Sequence, residues 1–135
     1  MKRAKFLMSM VAVALFGFIC TSFTTEEKSR IVEDGGTGPY KAIMKEDASL
    51  KEHTILVPQD LSVFGKDQKL PVLVWGNGAC TNSPWEHYKF LNEIASHGFI
   101  VLATGFIPMD EQGYRGPMSR TEQQIESIDW IIAQL

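Results

Sequence analysis

The stretch Gly76-Asn77-Gly78-Ala79-Cys80-Thr81-Asn82-Ser83 is where residue types and spacing come closest to chemistry. Its glycines let a backbone approach a ligand closely, and the loop precedes a predicted helix, where amide N–H groups lack intrahelical acceptors. Such donors welcome partial negative charge, either a phosphate or the oxyanion of an acyl-transfer intermediate. Phosphate is the poorer fit. Gly76-Asn77-Gly78 is followed by Cys80-Thr81, so neither G-x-G-x-x-G nor G-x-x-x-x-G-K-[ST] is present. Cys80 is a poor nucleophile candidate, because no histidine is placed to activate it. His97 stands at a predicted helix end, His87 beside Glu86 makes no H-E-x-x-H, and His53 opens a strand among charged residues, where solvation is expected. No set of His, Cys, Asp and Glu has metal-ligand spacing, so neither a metal nor another cofactor is expected.

The loop must be positioned by its flanks. Pro71–Trp75 (PVLVW) reads as a strand covered on both faces. Ser83, Pro84 and Glu86 form a helix start with an S-x-x-E capping box. Tyr88, Leu91, Ile94 and Ala95 then recur at helical spacing, and Gly98 ends the helix in a left-handed turn. Phe99–Ala103 (FIVLA) is a second buried strand, so the unit is βαβ with a right-handed crossover. Upstream, Tyr40–Met44 and His53–Val57 read as two short strands of an edge hairpin or meander, the second ended by Pro58, and residues 23–38 as a mobile lead-in. Downstream, Thr104–Met118 is an irregular loop whose Phe106, Met109 and Tyr114 cover the core edge or line a pocket. A last helix starts near Ser119 with a second capping box at Glu122. Ile125, Ile128, Ile132 and Leu135 are its expected core face.

The first 22 residues read as an export signal, with Lys2, Arg3 and Lys5 ahead of the apolar run Phe6–Ile19. Cleavage near Ser22 gives a periplasmic or extracellular protein. The alternative acylates Cys20 as a lipoprotein anchor, although Ile19 is large for that site. Removing residues 1–22 takes three of the 13 basic residues and no acid, leaving ten against 16 and a net charge of −6. An acidic exported chain without a basic face does not suit nucleic acid.

The ordered set LPVLVWGNGAC…FLNEIASHGFIVLA, continued by SRTEQQIESIDWIIAQ, resembles the α/β-hydrolase superfamily, in its secreted dienelactone-hydrolase, chlorophyllase and cutinase-like branch. The resemblance runs from about Ile55 to the C-terminus. It implies an α/β fold with an antiparallel edge hairpin followed by parallel βαβ in a three-layer sandwich. It also implies a serine hydrolase of small carboxylic esters. The family's nucleophile sits in a G-x-S-x-G elbow on the strand after the second helix, with Asp or Glu and then His later. No G-x-S-x-G occurs here, so residues 39–135 read as the N-terminal part of such a domain, truncated before the elbow and inactive alone. An α/β sheet of this type normally takes about twice this length, so an open sheet edge, poor solubility or dimerisation is expected. The family's oxyanion-hole N–H follows the glycine turn. That implies Ala79, with Asn77, Gly78 and Cys80 beside it. Cys80 then either pairs with a cysteine beyond Leu135 or is a buried free thiol. Two other readings stand beside this one: a non-catalytic exported α/β module that binds through the same loop, and a flavodoxin-like phosphate binder.

Overall fold

The computed structural model describes residues 29–107 and 117–134. The signal segment, Cys20, Met109, Tyr114 and Leu135 lie outside them. Leu50–Pro58 (β3) is the spine of the sheet, a nine-residue run buried from His53 to Pro58. It pairs antiparallel with Ala42–Asp47 (β2), and β2 pairs antiparallel with Ser29–Ile31 (β1). On its other side β3 runs antiparallel to Ile100–Thr104 (β5), which is parallel to Val72–Trp75 (β4). The spatial order is therefore β1-β2-β3-β5-β4 in one mixed sheet. Tyr88–Ser96 (α1) links β4 to β5, and Thr121–Ile132 (α2) follows β5.

Strand alternation sends side chains to two faces and builds two cores. Met44, Leu56, Val101 and Ala103 pack with Leu91 and Ala95 of α1. Ile55, Val57 and Leu102 pack with Trp130 and Ile131 of α2. Helix, sheet and helix are thus three layers of an α/β domain. Helical spacing in α1 places its apolar residues as expected, and Gly98 ends it at φ 91°.

Several expectations need correction. The hairpin strands extend through KEDASLKE to a two-residue turn at Ala48–Ser49. Asp47 Oδ1 closes that turn by accepting from Ser49 N (2.8 Å) and Ser49 Oγ (2.6 Å). The lead-in contributes β1 and is tied to α1 from there on. Asn92 Nδ2 donates to Val32 O (3.0 Å), Lys89 pairs with Glu33 (2.9 Å), and Glu93 accepts from Thr37 N (2.8 Å) and the Thr37 hydroxyl. Gly38 lies so close to α1 that a Cβ would stand 2.2 Å from Ser96 O. The α1 capping box does not form. Ser83 Oγ instead donates to Phe106 O (3.1 Å) and accepts from Trp85 N (3.3 Å), so helix begins one turn later at Tyr88. β4 is an edge strand of the described sheet and only half-buried, with Val72 41 % exposed.

The largest correction concerns α2. Its inward residues include the polar Gln123 and Ser127, both fully buried, while Ile125, Ile128 and Ile132 are 55, 44 and 59 % exposed. The cause is hydrogen bonding. Gln123 Oε1 accepts from Arg120 N (2.7 Å), which caps the helix one residue later than the Ser119–Glu122 pair would. Gln123 Nε2 donates to Asn82 Oδ1 (3.0 Å) and Glu52 O (3.2 Å), and Gln123 O meets His53 Nε2 (2.7 Å). Rolling the helix to bury the isoleucines would break the bonds to Asn82, Glu52 and His53 and strand buried polar groups. Ile128→Ser should therefore shift urea-unfolding stability by less than about 0.5 kcal/mol, whereas Gln123→Ala should cost about 2–3 kcal/mol. The reverse ranking would mean that the isoleucine face is the buried one.

Glu93 makes a second measurable claim. The Thr37 hydroxyl, then the Thr37 amide, hold its carboxyl below the ordinary value of 4.5. A depressed carboxyl contributes stability that is present above its unfolded-state value and lost as pH falls through the folded one. Thermal midpoints measured from pH 6 to pH 3 should fall further for the native chain than for Glu93→Gln. Parallel curves would remove Glu93 from the acid limb.

Candidate functional site: the glycine loop after β4

β4 and β5 run parallel and end side by side, with Trp75 opposite Ala103. The chain leaves β4 through Gly76, over which Gln124 of α2 lies: a Cβ there would stand 2.3 Å from Gln124 Nε2. Asn77 comes next, in extended backbone at φ −76° and ψ 151°. Its Oδ1 accepts from Trp75 Nε1 (3.1 Å). Its Nδ2 donates to Thr81 O (3.0 Å), Thr104 O (2.7 Å) and Thr104 Oγ1 (3.1 Å).

Residues Gly78–Thr81 form a tight β-turn closed by Thr81 N to Gly78 O (3.1 Å). Ala79 (φ 51°) and Cys80 (φ 53°) are both left-handed, a conformation that costs an L-residue about 1–2 kcal/mol. Among the described residues no acceptor takes the Ala79 N–H. Ser119 N donates to Cys80 O (2.8 Å), and Thr81 bridges to Met118, so the approach to α2 runs alongside the loop. Beyond it, Asn82 and Ser83 press against the exit of β5. A Cβ on Gly105, whose φ is 94°, would stand 2.1 Å from Asn82 C, so only glycine fits.

Asn77, Gly78, Ala79 and Cys80 are thus brought together at the C-terminal ends of the parallel strands, where open α/β sheets place ligands. Gly78, Ala79 and Cys80 are exposed. Cys80 is a free thiol at the surface, which overturns its reading as a buried one. Phe106, 37 % exposed, reaches this end of the sheet through Phe106 N to Asn82 O (3.3 Å).

The loop's supports escape sequence reasoning. His53, expected in solvent, is 1 % exposed, with Nδ1 at 2.6 Å from Lys51 O and Nε2 at 2.7 Å from Gln123 O. Thr54 Oγ1 donates to Gly105 O (2.8 Å). With Asn82, Thr104, Gln123 and Ser127 these make a buried polar cluster beneath the loop. Gln123 is fixed by its cap bond to Arg120, so Asn82 Oδ1 must face Gln123. Asn82 Nδ2 then has no acceptor among the described residues. Only the threonines in TILV and VLAT hinted at polar packing in otherwise apolar strands.

Among the described residues no group of three or more His, Cys, Asp and Glu could hold a metal, and no helix is long and apolar enough to cross a membrane. An open cleft of about 700 Å³ lies between the β2–β3 turn and α2, but no residue of the glycine loop lines it. Its lining carries Lys51 and Arg120 against Glu52, Glu126 and Asp129, an excess of a single negative charge. Compared with family models, curated proteins and solved structures, the chain matches none.

Left-handed Ala79 makes a direct prediction. Ala79→Gly removes the Cβ strain and should raise unfolding free energy by about 0.5–1 kcal/mol in urea titrations. A loss of stability would mean that this residue is not left-handed in solution.

Proposed function

We propose that this chain carries the oxyanion-binding loop of an exported serine hydrolase of the α/β-hydrolase type, acting on carboxylic esters. The observation that carries the reading is the Ala79 N–H. It lies on an exposed loop at the C-terminal end of β4, and no acceptor among the described residues takes it. An oxyanion hole needs such a donor fixed in advance, so that no reorganisation is required when charge develops on the acyl oxygen. The antiparallel start of the sheet, followed by parallel β4 and β5, supports the same reading. So does the three-layer packing.

The chemistry divides accordingly. A serine attacking the ester carbonyl generates a tetrahedral intermediate, and the Ala79 amide donates to its oxyanion. Serine, acid and histidine would come from a G-x-S-x-G elbow and later segments that this sequence does not contain. One second reading stands beside this one, an exported module that binds through the exposed loop and catalyses nothing.

The test reads the transcript past codon 135 in all three frames and assays the longest product on short-chain p-nitrophenyl esters. A downstream elbow followed by Asp or Glu and His, with ester turnover, supports the proposal. In that protein Ala79→Gly should keep turnover within about threefold, and replacing the Ala79 backbone N–H by an ester oxygen, which removes the donor and leaves the left-handed φ accessible, should lose about 10²–10³ in kcat. A stop without continuation, or equal losses from both changes, would remove the oxyanion reading.

A further inference from the structure

We propose that Asn77 is the positioning residue of this loop. Its side-chain amide latches the left-handed turn at Ala79 and Cys80 onto the end of β5. The latch stands on the geometry alone, and its value to an oxyanion rests on the function proposed above.

Two successive left-handed L-residues are a local strain that persists only where the surroundings over-determine it. Neither glycine of the loop absorbs it, since Gly76 and Gly78 lie outside the positive-φ positions. The bonds from Thr81 N to Gly78 O and from Ser119 N to Cys80 O hold the turn from within and from the α2 side. Asn77 is the side chain that joins the start of the loop to its end and to the neighbouring strand. It donates at 3.0 Å to Thr81 O, at 2.7 Å to Thr104 O and at 3.1 Å to Thr104 Oγ1.

Orientation follows from chemistry. Thr81 O and Thr104 O only accept, so the group facing them has to be the amide nitrogen. Trp75 Nε1 only donates, so it fixes the amide oxygen on the opposite side. One planar amide satisfies both demands. A carboxylate has the same shape but only acceptors. It would keep the Trp75 bond and set oxygen against two carbonyl oxygens. A latch made of donors is therefore broken by an isosteric change, whereas a residue that merely fills space would tolerate it.

Protonation adds a readout that packing cannot imitate. A neutral aspartic acid regains one O–H donor, which can return a bond to Thr104 O. The experiment measures amide hydrogen exchange at Thr81 and Ser119 in the full chain and in Asn77→Asp, near pH 4 and near pH 7, relative to intrinsic rates. Val101 and Leu102 in β5 serve as remote controls, and Asn77→Ala as the variant with no polar group. The expected result is at least about tenfold faster exchange at Thr81 and Ser119 in Asn77→Asp near pH 7, with a substantial return of protection near pH 4. Asn77→Ala should be fast at both pH values, and the controls should hold. Native-like exchange in Asn77→Asp near pH 7 would overturn the latch. So would acceleration that ignores pH, or that spreads equally to the controls. None of these outcomes depends on ester turnover, so failure of the latch and failure of the hydrolase reading remain separate.

Discussion

The orientation of α2 depends on one buried amide. Gln123 takes the N-terminal N–H of its own helix with its oxygen and gives its nitrogen to Asn82 and to the backbone of Glu52. Its carbonyl meets His53. Sheet, loop and helix are thereby joined through a single residue, and a helix with four isoleucines presents only Ile131 of them to the core. Burying a further isoleucine would return about 1.5–3 kcal/mol. Leaving several buried donors and acceptors unmatched costs more than that. The polar demand decides.

The loop after β4 sits on top of this arrangement. Its first residue lies under Gln124, its Asn82 accepts from Gln123, and its exit presses on Gly105. The strands bring β4 and β5 to a common end, α2 closes one side, and Asn77 gathers the turn against Thr104. The oxyanion role proposed for the loop rests on this rigidity. A donor that must meet a transient charge is useful only where its direction is set beforehand. The strained backbone at Ala79 and Cys80 is the kind of local cost that a framework of hydrogen bonds sustains.

Much of this was legible in the sequence because apolar runs and glycine punctuation are local signals. VLVW, IVLA and the Leu91–Ala95 spacing placed β4, β5 and α1, and the glycine loop was located between them. What was not legible was nonlocal. Nothing within three residues of Ser83 says that its hydroxyl will be taken by Phe106, so the capping box failed. Nothing near His53 announces a helix some seventy residues later in the chain that will cover it. The isoleucine stripe of α2 has helical periodicity, and periodicity alone names it as the core face. The true face is set by partners on β3 and in the loop. Asn77 stood in plain view as part of a glycine turn, but its role appears only when Thr104 is beside it.

The orientation of α2 is the claim on which the site depends, and solvent paramagnetic relaxation tests it in one spectrum. With an inert soluble spin label, the methyl groups of Ile125, Ile128 and Ile132 should broaden strongly. The side-chain amide of Gln123 and the methyl of Ile131 should be shielded. Protected Ile125 and Ile128 methyls with an exposed Gln123 amide would contradict the account, because the helix would then be rolled onto its isoleucines and the loop would have lost its floor.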